Sequence, residues 1–233
     1  MRKRLITPAS GSPFSRFFNG NGEIRFAIGA AASVPTGALA WGCVFRPTDP
    51  AHAGGLISVY QAGSRQLGCN PFSTGDIFFA VNGFVNAGPY AAWVADGVCL
   101  WFTKAAGAGQ QIRAHVFPYS TGVWSHANLG AVDAGGAGDE IVIGQFNAGQ
   151  FYRGYLVAQG LYAANLSDGD IEGAGVQYRI APWLSLTNPR AVWAFGQTSE
   201  ASPVQDLTGG GANQTAITNT TAALWLPTGW SYS

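Results

Sequence analysis

Residues 23–28 read Glu-Ile-Arg-Phe-Ala-Ile, so that large apolar side chains alternate with charged or small ones. Successive side chains of a β-strand point to opposite faces of the sheet, and strict alternation therefore predicts a strand with one buried face. Residues 39–45, Leu-Ala-Trp-Gly-Cys-Val-Phe, repeat the pattern with larger apolar groups. We therefore predict a core formed between the apolar faces of β-strands.

Further strand segments follow at short intervals along the chain. They lie at residues 56–60, 76–81, 98–102, 112–117, 140–143, 152–162 and 191–195, and a loop with a return strand is predicted over 118–126. Asn-Gly pairs at 19–20, 21–22 and 82–83 and glycine-rich stretches at 105–109, 135–138 and 209–211 supply the positive φ angles of tight reversals. This pattern predicts an all-β sandwich or barrel.

One short helix is predicted within this pattern. Ser167 can cap the first helical amides, and Asp170 stands at the acidic position of a capping box. Glycines at 169, 173 and 175 keep the helix short.

The composition argues against a nucleic-acid-binding protein. Only 10% of the 233 residues are charged, against about 25% in ordinary soluble domains, and the net charge is zero. Basic residues cluster only at Arg2, Lys3 and Arg4, whereas a phosphate-binding groove needs a longer basic surface. A surface with so few charges repels other chains weakly, so we expect association with copies of the chain or with partners.

Three cysteines, Cys43, Cys69 and Cys99, leave at least one thiol unpaired or paired between chains. Their apolar neighbours favour buried, inert thiols in a reducing compartment, with a single disulfide as the alternative. No apolar stretch of 7–15 residues follows the basic start, so no signal peptide is predicted. No run reaches 18 apolar residues, so no membrane span is predicted.

Several motifs resemble the laminin-G-like, concanavalin A-like jelly-roll family. Three of them are similar to the closing strand and short helix of that family: Tyr152-x-Gly154-x-Leu156, Leu161-Tyr162 and Leu166-Ser167-x-x-Asp170-Ile171. The others are Phe18-Asn19-Gly20-Asn21-Gly22 before Ile24 and Phe26, and Ile141-x-Ile143-Gly144. The resemblance spans about residues 17–175. It implies an antiparallel jelly-roll sandwich of two sheets.

The C-terminal part resembles a segment that such domains often carry at the N-terminus. It comprises Val192-Trp193-x-Phe195 and Asp206-Leu207-Thr208-Gly209-Gly210-Gly211-x-Asn213. Its position after the short helix resembles the order found in bacteriophage virion proteins with this fold. The resemblance implies a non-enzymatic virion structural protein, either a capsid decoration or a minor tail component. We expect it on the virion exterior after assembly in the host cytoplasm, with other virion proteins and copies of itself as partners.

These motifs define one jelly-roll domain over residues 18–226, with residues 181–223 completing its strands. Residues 1–17 are predicted to form an N-terminal arm and 227–233 a C-terminal tail. The aromatic stretch 224–232 either docks on a partner or closes the core, since Trp and Tyr are favoured at interfaces.

The acidic residues argue against an enzyme. Glycan-cleaving relatives use a Glu-x-Asp-x-x-Glu strand because two carboxylates must flank the scissile bond. None of the four glutamates stands in that spacing. The adjacent pair Asp139-Glu140 points to opposite faces of a strand, which indicates a turn-and-strand role. His115 is expected on an exposed face beside Arg113, and His52 is isolated.

Tyr119, Trp124 and His126 are the predicted ligand-binding residues, because aromatics with a polar edge can stack on sugar rings. A core position for Trp124 is the alternative. The alternative function is therefore a carbohydrate-binding adhesion module that recognises host cell-surface glycans. No cofactor or metal is predicted, although Asp133 and Asp139 flank a glycine-rich loop that offers oxygen ligands for calcium.

Overall fold

The computed structural model describes residues 15–28, 37–49, 54–61, 64–71, 76–80, 84–89, 93, 95–107, 109–132, 138, 140–146, 149–173, 180–196, 204, 206–209 and 212–223. Thirteen strands lie in these residues: β1 (Ser15–Ile28), β2 (Leu39–Pro47), β3 (Ile57–Gln61), β4 (Ser64–Pro71), β5 (Asp76–Ala80), β6 (Phe84–Pro89), β7 (Val98–Lys104), β8 (Gln110–Pro118), β9 (Ser125–Val132), β10 (Glu140–Ile143), β11 (Arg153–Tyr162), β12 (Pro189–Ala194) and β13 (Ala212–Ala223). A short helix α1 (Asp168–Gly173) and a 3₁₀ helix (Ala181–Ser185) lie between β11 and β12.

The strands pair antiparallel in the order β6-β5-β4-β3-β10-β1-β11-β2-β7-β8-β9, with β13 added to β1 and β12 to β11. The first half of β1 pairs with β11, from Arg16↔Leu156, and its second half pairs with β10, from Ile24↔Ile143. Strand β1 therefore joins a front layer, β10-β3-β4-β5-β6, to a back layer, β12-β11-β2-β7-β8-β9.

The two layers pack face to face through aromatic side chains. The ring of Phe79 in the front layer lies 4.4 Å from Phe102 and 6.2 Å from Trp41, both in the back layer. Such stacked pairs stabilise by about 0.5–1.5 kcal/mol beyond the area they bury. The edge strands β6 and β9 lie close to each other at the open side. The predicted two-layer, all-β sandwich is confirmed.

The middle of the back layer is buried on its outer face as well, which the sequence did not predict. Every residue of β7 is buried, and Trp101 points outward against Trp183 of the 3₁₀ helix and Tyr162, with ring centroids 4.7 and 5.5 Å away. Ile171 of α1 belongs to the same outer apolar cluster. Helix α1 and the 3₁₀ helix thus form a third layer over the back sheet.

Close packing at this third layer depends on Gly42. A β-carbon at Gly42 would lie 2.3 Å from the indole ring of Trp101. Because both residues are in the interior, only glycine lets the Trp101 ring lie flat on β2.

All predicted strand segments coincide with observed strands, and β10 matches residues 140–143 fully. Strand β13 lies in the predicted completing segment, and β9 begins in the predicted return strand. Strands β4 and β6 were not predicted, since segments such as 64–71, Ser-Arg-Gln-Leu-Gly-Cys-Asn-Pro, lack regular alternation.

The prediction of reversals at the first two Asn-Gly pairs is wrong. Asn19 to Gly22 lie inside the continuous strand β1. Gly20 has a φ of 94°, and the pairing of β1 with β13 shifts register between Phe18 and Glu23. The pairs therefore lie in a bulged stretch of β1, where the strand passes from the back layer to the front layer. The predicted turn at 105–109 is observed, with positive φ at Gly107 and Gly109.

Cys43, Cys69 and Cys99 are buried and unpaired, as predicted. Residues 15–17, assigned to the arm, already belong to β1. Several predictions concern residues outside the described part of the chain. They are those for residues 1–14 of the arm, the tail and the 224–232 stretch, His52, the calcium ligands Asp133 and Asp139, and the Asn82-Gly83 pair. Among the helices described, none combines the length and apolar character that crossing a membrane requires.

Candidate functional site

Helix α1 holds two acidic side chains over the outer face of β8 and β9. Ser167 caps the helix, accepting from the Asp170 amide at 3.1 Å and donating its own amide to the Asp170 carboxylate at 2.8 Å, so the predicted capping box is confirmed. Ile171 anchors the helix in the outer apolar cluster. Asp168 and Glu172 are one turn apart and therefore share a helix face.

Asp168 forms a two-pronged ion pair with Arg113 of β8. The Arg113 Nε donates to Asp168 Oδ1 at 2.7 Å and Nη2 donates to Oδ2 at 2.5 Å, while Nη1 donates to Asn128 Oδ1 at 3.0 Å. The guanidinium lowers the pKa of the Asp168 carboxyl to about 2. The helix is thus connected to both β8 and β9 by a fixed polar network.

Two histidines lie directly beside this ion pair. His115 and His126 are register partners on β8 and β9, and their Nδ1 atoms are 2.9 Å apart. The other ring nitrogens contact Thr103 Oγ1, 2.9 Å from His115 Nε2, and Glu172 Oε1, 2.5 Å from His126 Nε2.

The prediction that His115 is exposed is wrong, because its side chain is 0% exposed beneath α1. Arg113 indeed shares its sheet face, but at His115 that face is covered by the helix and not by water. Burial lowers the pKa of His115 to about 4, so its ring is uncharged at neutral pH.

The predicted ligand-binding residues lie in one aromatic row on this face. Phe117 connects them: its ring centroid is 5.6 Å from Tyr119 and 5.2 Å from Trp124. Trp124 in turn stacks on His126 with an interplanar angle of 10°. Tyr119, Trp124 and His126 are each partly buried. Trp124 packs against the outer apolar cluster, in partial agreement with the core alternative.

A polar groove of about 740 Å³ continues the row at the opposite end of β8. It is lined by Thr103, Ala105, Gly109, Gln110, Gln111, Arg113, Asn128, Asn165, Leu166, Ser167, Asp168 and Gly169. Amide, hydroxyl, guanidinium and carboxylate groups thus surround one concave surface. We name the aromatic row, the histidine pair and this groove together the outer strip.

Sequence reasoning missed Thr103, Arg113, Asn128, Asp168 and Glu172 as site residues. They come from β7, β8, β9 and α1, which are distant in sequence. The sequence held one signal for Asp168 and Glu172. The Ser167 cap predicts a helix, and acidic residues one turn apart on that helix share one face.

The remaining described glutamates have a structural role. Arg25 donates to Glu23 at 2.7 Å and to Glu140 at 3.0 Å across β1 and β10. Glu140 begins β10, in agreement with its predicted strand role.

No protein-family model and no curated protein sequence matches this chain. Solved structures match its fold. A candidate carbohydrate-binding protein from Bacteroides ovatus superposes with a TM-score of 0.59 at 10% identity, covering 91% of this chain and 60% of that one. Domains LG4-5 of the mouse laminin alpha1 chain give 0.50 at 17% identity, covering 91% and 48%. The LG1-3 region of the laminin alpha2 chain gives 0.50 at 11%, covering 81% and 35%.

The chain thus spans less than two thirds of the length of these structures. At such identities the likeness concerns the fold alone. It agrees with the jelly-roll motifs of the sequence, whereas the predicted virion setting stays a prediction. The protein has the laminin-G-like jelly-roll fold.

Proposed function

We propose that this chain is a non-enzymatic carbohydrate-binding module that holds a glycan along the outer strip. The observation that carries the proposal is that partly exposed aromatics at Tyr119 and Trp124 share the outer face of β8 and β9 with a polar groove around Arg113 and Asn128. From Tyr119 to Gln111 this strip follows β8 for about 26 Å. The fold likeness to the candidate carbohydrate-binding protein of Bacteroides ovatus supports the proposal.

The strip offers the two kinds of contact that a sugar needs. Aromatic rings with apolar faces pack against the C–H face of a pyranose, and planar polar groups bond to its hydroxyls. Arg113 is already held by Asp168 and Asn128, so this part of the groove is ordered before a ligand arrives. Preorganisation lowers the entropy lost on binding.

A glycan array followed by calorimetry on the best ligand tests this proposal. Trp124→Ala and Asn128→Ala should each weaken binding by about tenfold, equivalent to 1.4 kcal/mol. Tyr155→Ala is the matched aromatic control, because Tyr155 is also partly buried but packs on Phe17 in another part of the sandwich, at a centroid distance of 5.0 Å. Binding of no sugar, or equal losses in the control, would refute the proposal.

The carboxylates of the outer strip support a binding role without hydrolysis. Asp168 is held by Arg113 on both oxygens, and Glu172 contacts His126. A glycosidase needs one carboxyl as an acid and a second as nucleophile or base. We expect no release of reducing ends from polysaccharides that the chain binds, and release above a heat-treated sample would contradict this part of the proposal.

A second proposal concerns the setting of the module: a structural component of the bacteriophage virion exterior, associated with other virion proteins and with copies of itself. It is supported by the order of segments, because the Trp193 and Asp206 motifs follow the short helix. Asp206 pairs with Trp193 and accepts from the amides of Val192 at 3.1 Å and Thr208 at 3.0 Å, so the segment is part of the domain. Mass spectrometry and imaging of purified particles test it; absence of the chain from particles would refute it.

A further inference from the structure

Three potential metal ligands meet at the centre of the outer strip. His115 comes from β8, His126 from β9 and Asp168 from α1, and one ligand atom from each lies within 4.8 Å of the others. The Nδ1 atoms are 2.9 Å apart, Asp168 Oδ1 is 3.3 Å from His115 Nδ1, and Asp168 Oδ2 is 3.9 Å from His126 Nδ1. We propose that these three residues form a binding site for a divalent transition-metal ion of the Zn²⁺ class.

The spacing of the ligand atoms fits a tetrahedral ion. With metal–ligand bonds of about 2.0–2.1 Å, neighbouring ligand atoms of a tetrahedron are about 3.4 Å apart. The three observed separations, 2.9, 3.3 and 3.9 Å, lie on both sides of that value. Sub-ångström shifts of the side chains therefore suffice to place all three ligand atoms around one ion. Two imidazoles with one carboxylate are also a donor set that suits Zn²⁺, Ni²⁺ or Cu²⁺ better than Ca²⁺.

A proton on Nε2 of each histidine leaves both Nδ1 lone pairs available to an ion. As a carboxylate, Glu172 can only accept hydrogen bonds, so His126 carries its proton on Nε2. The Thr103 hydroxyl, 2.9 Å from Nε2 of His115, can accept a hydrogen bond from that nitrogen. Histidine ligands usually donate the second ring N–H to such an outer group, which fixes the ring and the tautomer.

Without an ion, a proton on His115 Nδ1 completes a hydrogen bond to His126 Nδ1 across their 2.9 Å contact, and a bound ion takes the place of that proton. If Thr103 instead accepts from His115, two bare nitrogens and a carboxylate oxygen face one another at contact distance, and all three are acceptors. A cation between them turns this repulsion into coordination. Asp168 and Glu172 supply two negative charges against the one positive charge of Arg113.

The site is open on the helix side. Asp168 is 38% exposed and His126 17%, although His115 is fully buried. Water or a ligand hydroxyl can therefore supply the fourth ligand, as in zinc sites with three protein ligands. The proposal is independent of the glycan proposal, since it concerns the chain without sugar.

Calorimetry of the untagged, EDTA-stripped chain with Zn²⁺ tests the site, and Co²⁺ absorption reports its coordination. We expect one ion per chain and a visible Co²⁺ spectrum of four-coordinate intensity. His126→Gln and Asp168→Asn should abolish or weaken binding at least tenfold, and Glu172→Gln should weaken it by about 10–100-fold. His126 and Asp168 are chosen because both are partly exposed, so their variants are expected to fold; urea unfolding of each checks this.

His52→Gln is the matched control, since His52 is the remaining histidine of the chain. It should bind Zn²⁺ like the unaltered protein. No binding below about 100 μM, equal binding by His126→Gln, or loss of the ion in His52→Gln would overturn the proposal. None of these results depends on whether a glycan binds.

Discussion

Replacing Trp183 by alanine tests whether the third layer stabilises the sandwich. Trp183 is fully buried, its ring lies 4.7 Å from Trp101, and its backbone carbonyl accepts from the Tyr162 hydroxyl at 3.0 Å. Large-to-small changes at such tryptophans cost about 3–5 kcal/mol, because the transfer energy and a cavity term add. At about 2–4 °C per kcal/mol for a chain of this size, the Tm should fall by about 6–20 °C.

Urea unfolding gives the free energy of unfolding directly. Leu184→Ala is the neighbouring control: Leu184 is only partly buried against the same cluster and should cost less than about 2 kcal/mol. Trp183→Phe should retain part of the stability, since an aromatic ring still meets Trp101. If Trp183→Ala costs no more than Leu184→Ala, the outer layer does not stabilise the back sheet and the reasoning is wrong.

Two further predictions follow from burial. Gly42→Ala should destabilise the fold by about 1–3 kcal/mol or more, because its β-carbon would lie 2.3 Å from the buried Trp101 ring. Gly173→Ala is the control: its β-carbon would meet nothing within 4 Å, so the free energy of unfolding should change little in the same experiment. Equal effects of the two substitutions would contradict the packing argument. The EDTA-treated chain should lose stability as the pH falls from about 6.5 to about 4, by up to about 3 kcal/mol, because unfolded His115 binds a proton near pH 6.5 and folded His115 only near pH 4. His115→Asn should flatten this part of the pH profile relative to the unaltered chain; an unchanged profile would show that another group titrates there.

Local sequence was sufficient wherever one face of a strand was apolar. In β1, Ile24 and Phe26 are buried and Arg25 is not, as alternation predicted. In β7 alternation carried no information, because Val98 to Phe102 are apolar at every position and both faces are covered. The sequence therefore predicted the strand but not the layer that covers its second face.

His115 shows the same limit for the site. It stands between Arg113 and Phe117 on one strand face, and Arg113 was interpreted as a sign of exposure. The guanidinium is instead paired with Asp168, 55 residues further along the chain. An ion pair between distant elements leaves no periodic pattern in the sequence. The sequence therefore could not show that Arg113 marks a covered face and not an exposed one.

The amino-acid sequence by itself determined the all-β class, the strand segments, the helix cap at Ser167 and the buried state of the cysteines, because each depends on neighbouring residues and a repeat of two. The tertiary structure decided which histidines meet, which acids lie over them, and that the aromatic row and the polar groove share one sheet face. Those features depend on the register of β8 with β9 and on the packing of α1 through Ile171. Register and helix packing are set by contacts between residues far apart in the chain, and no local pattern encodes them.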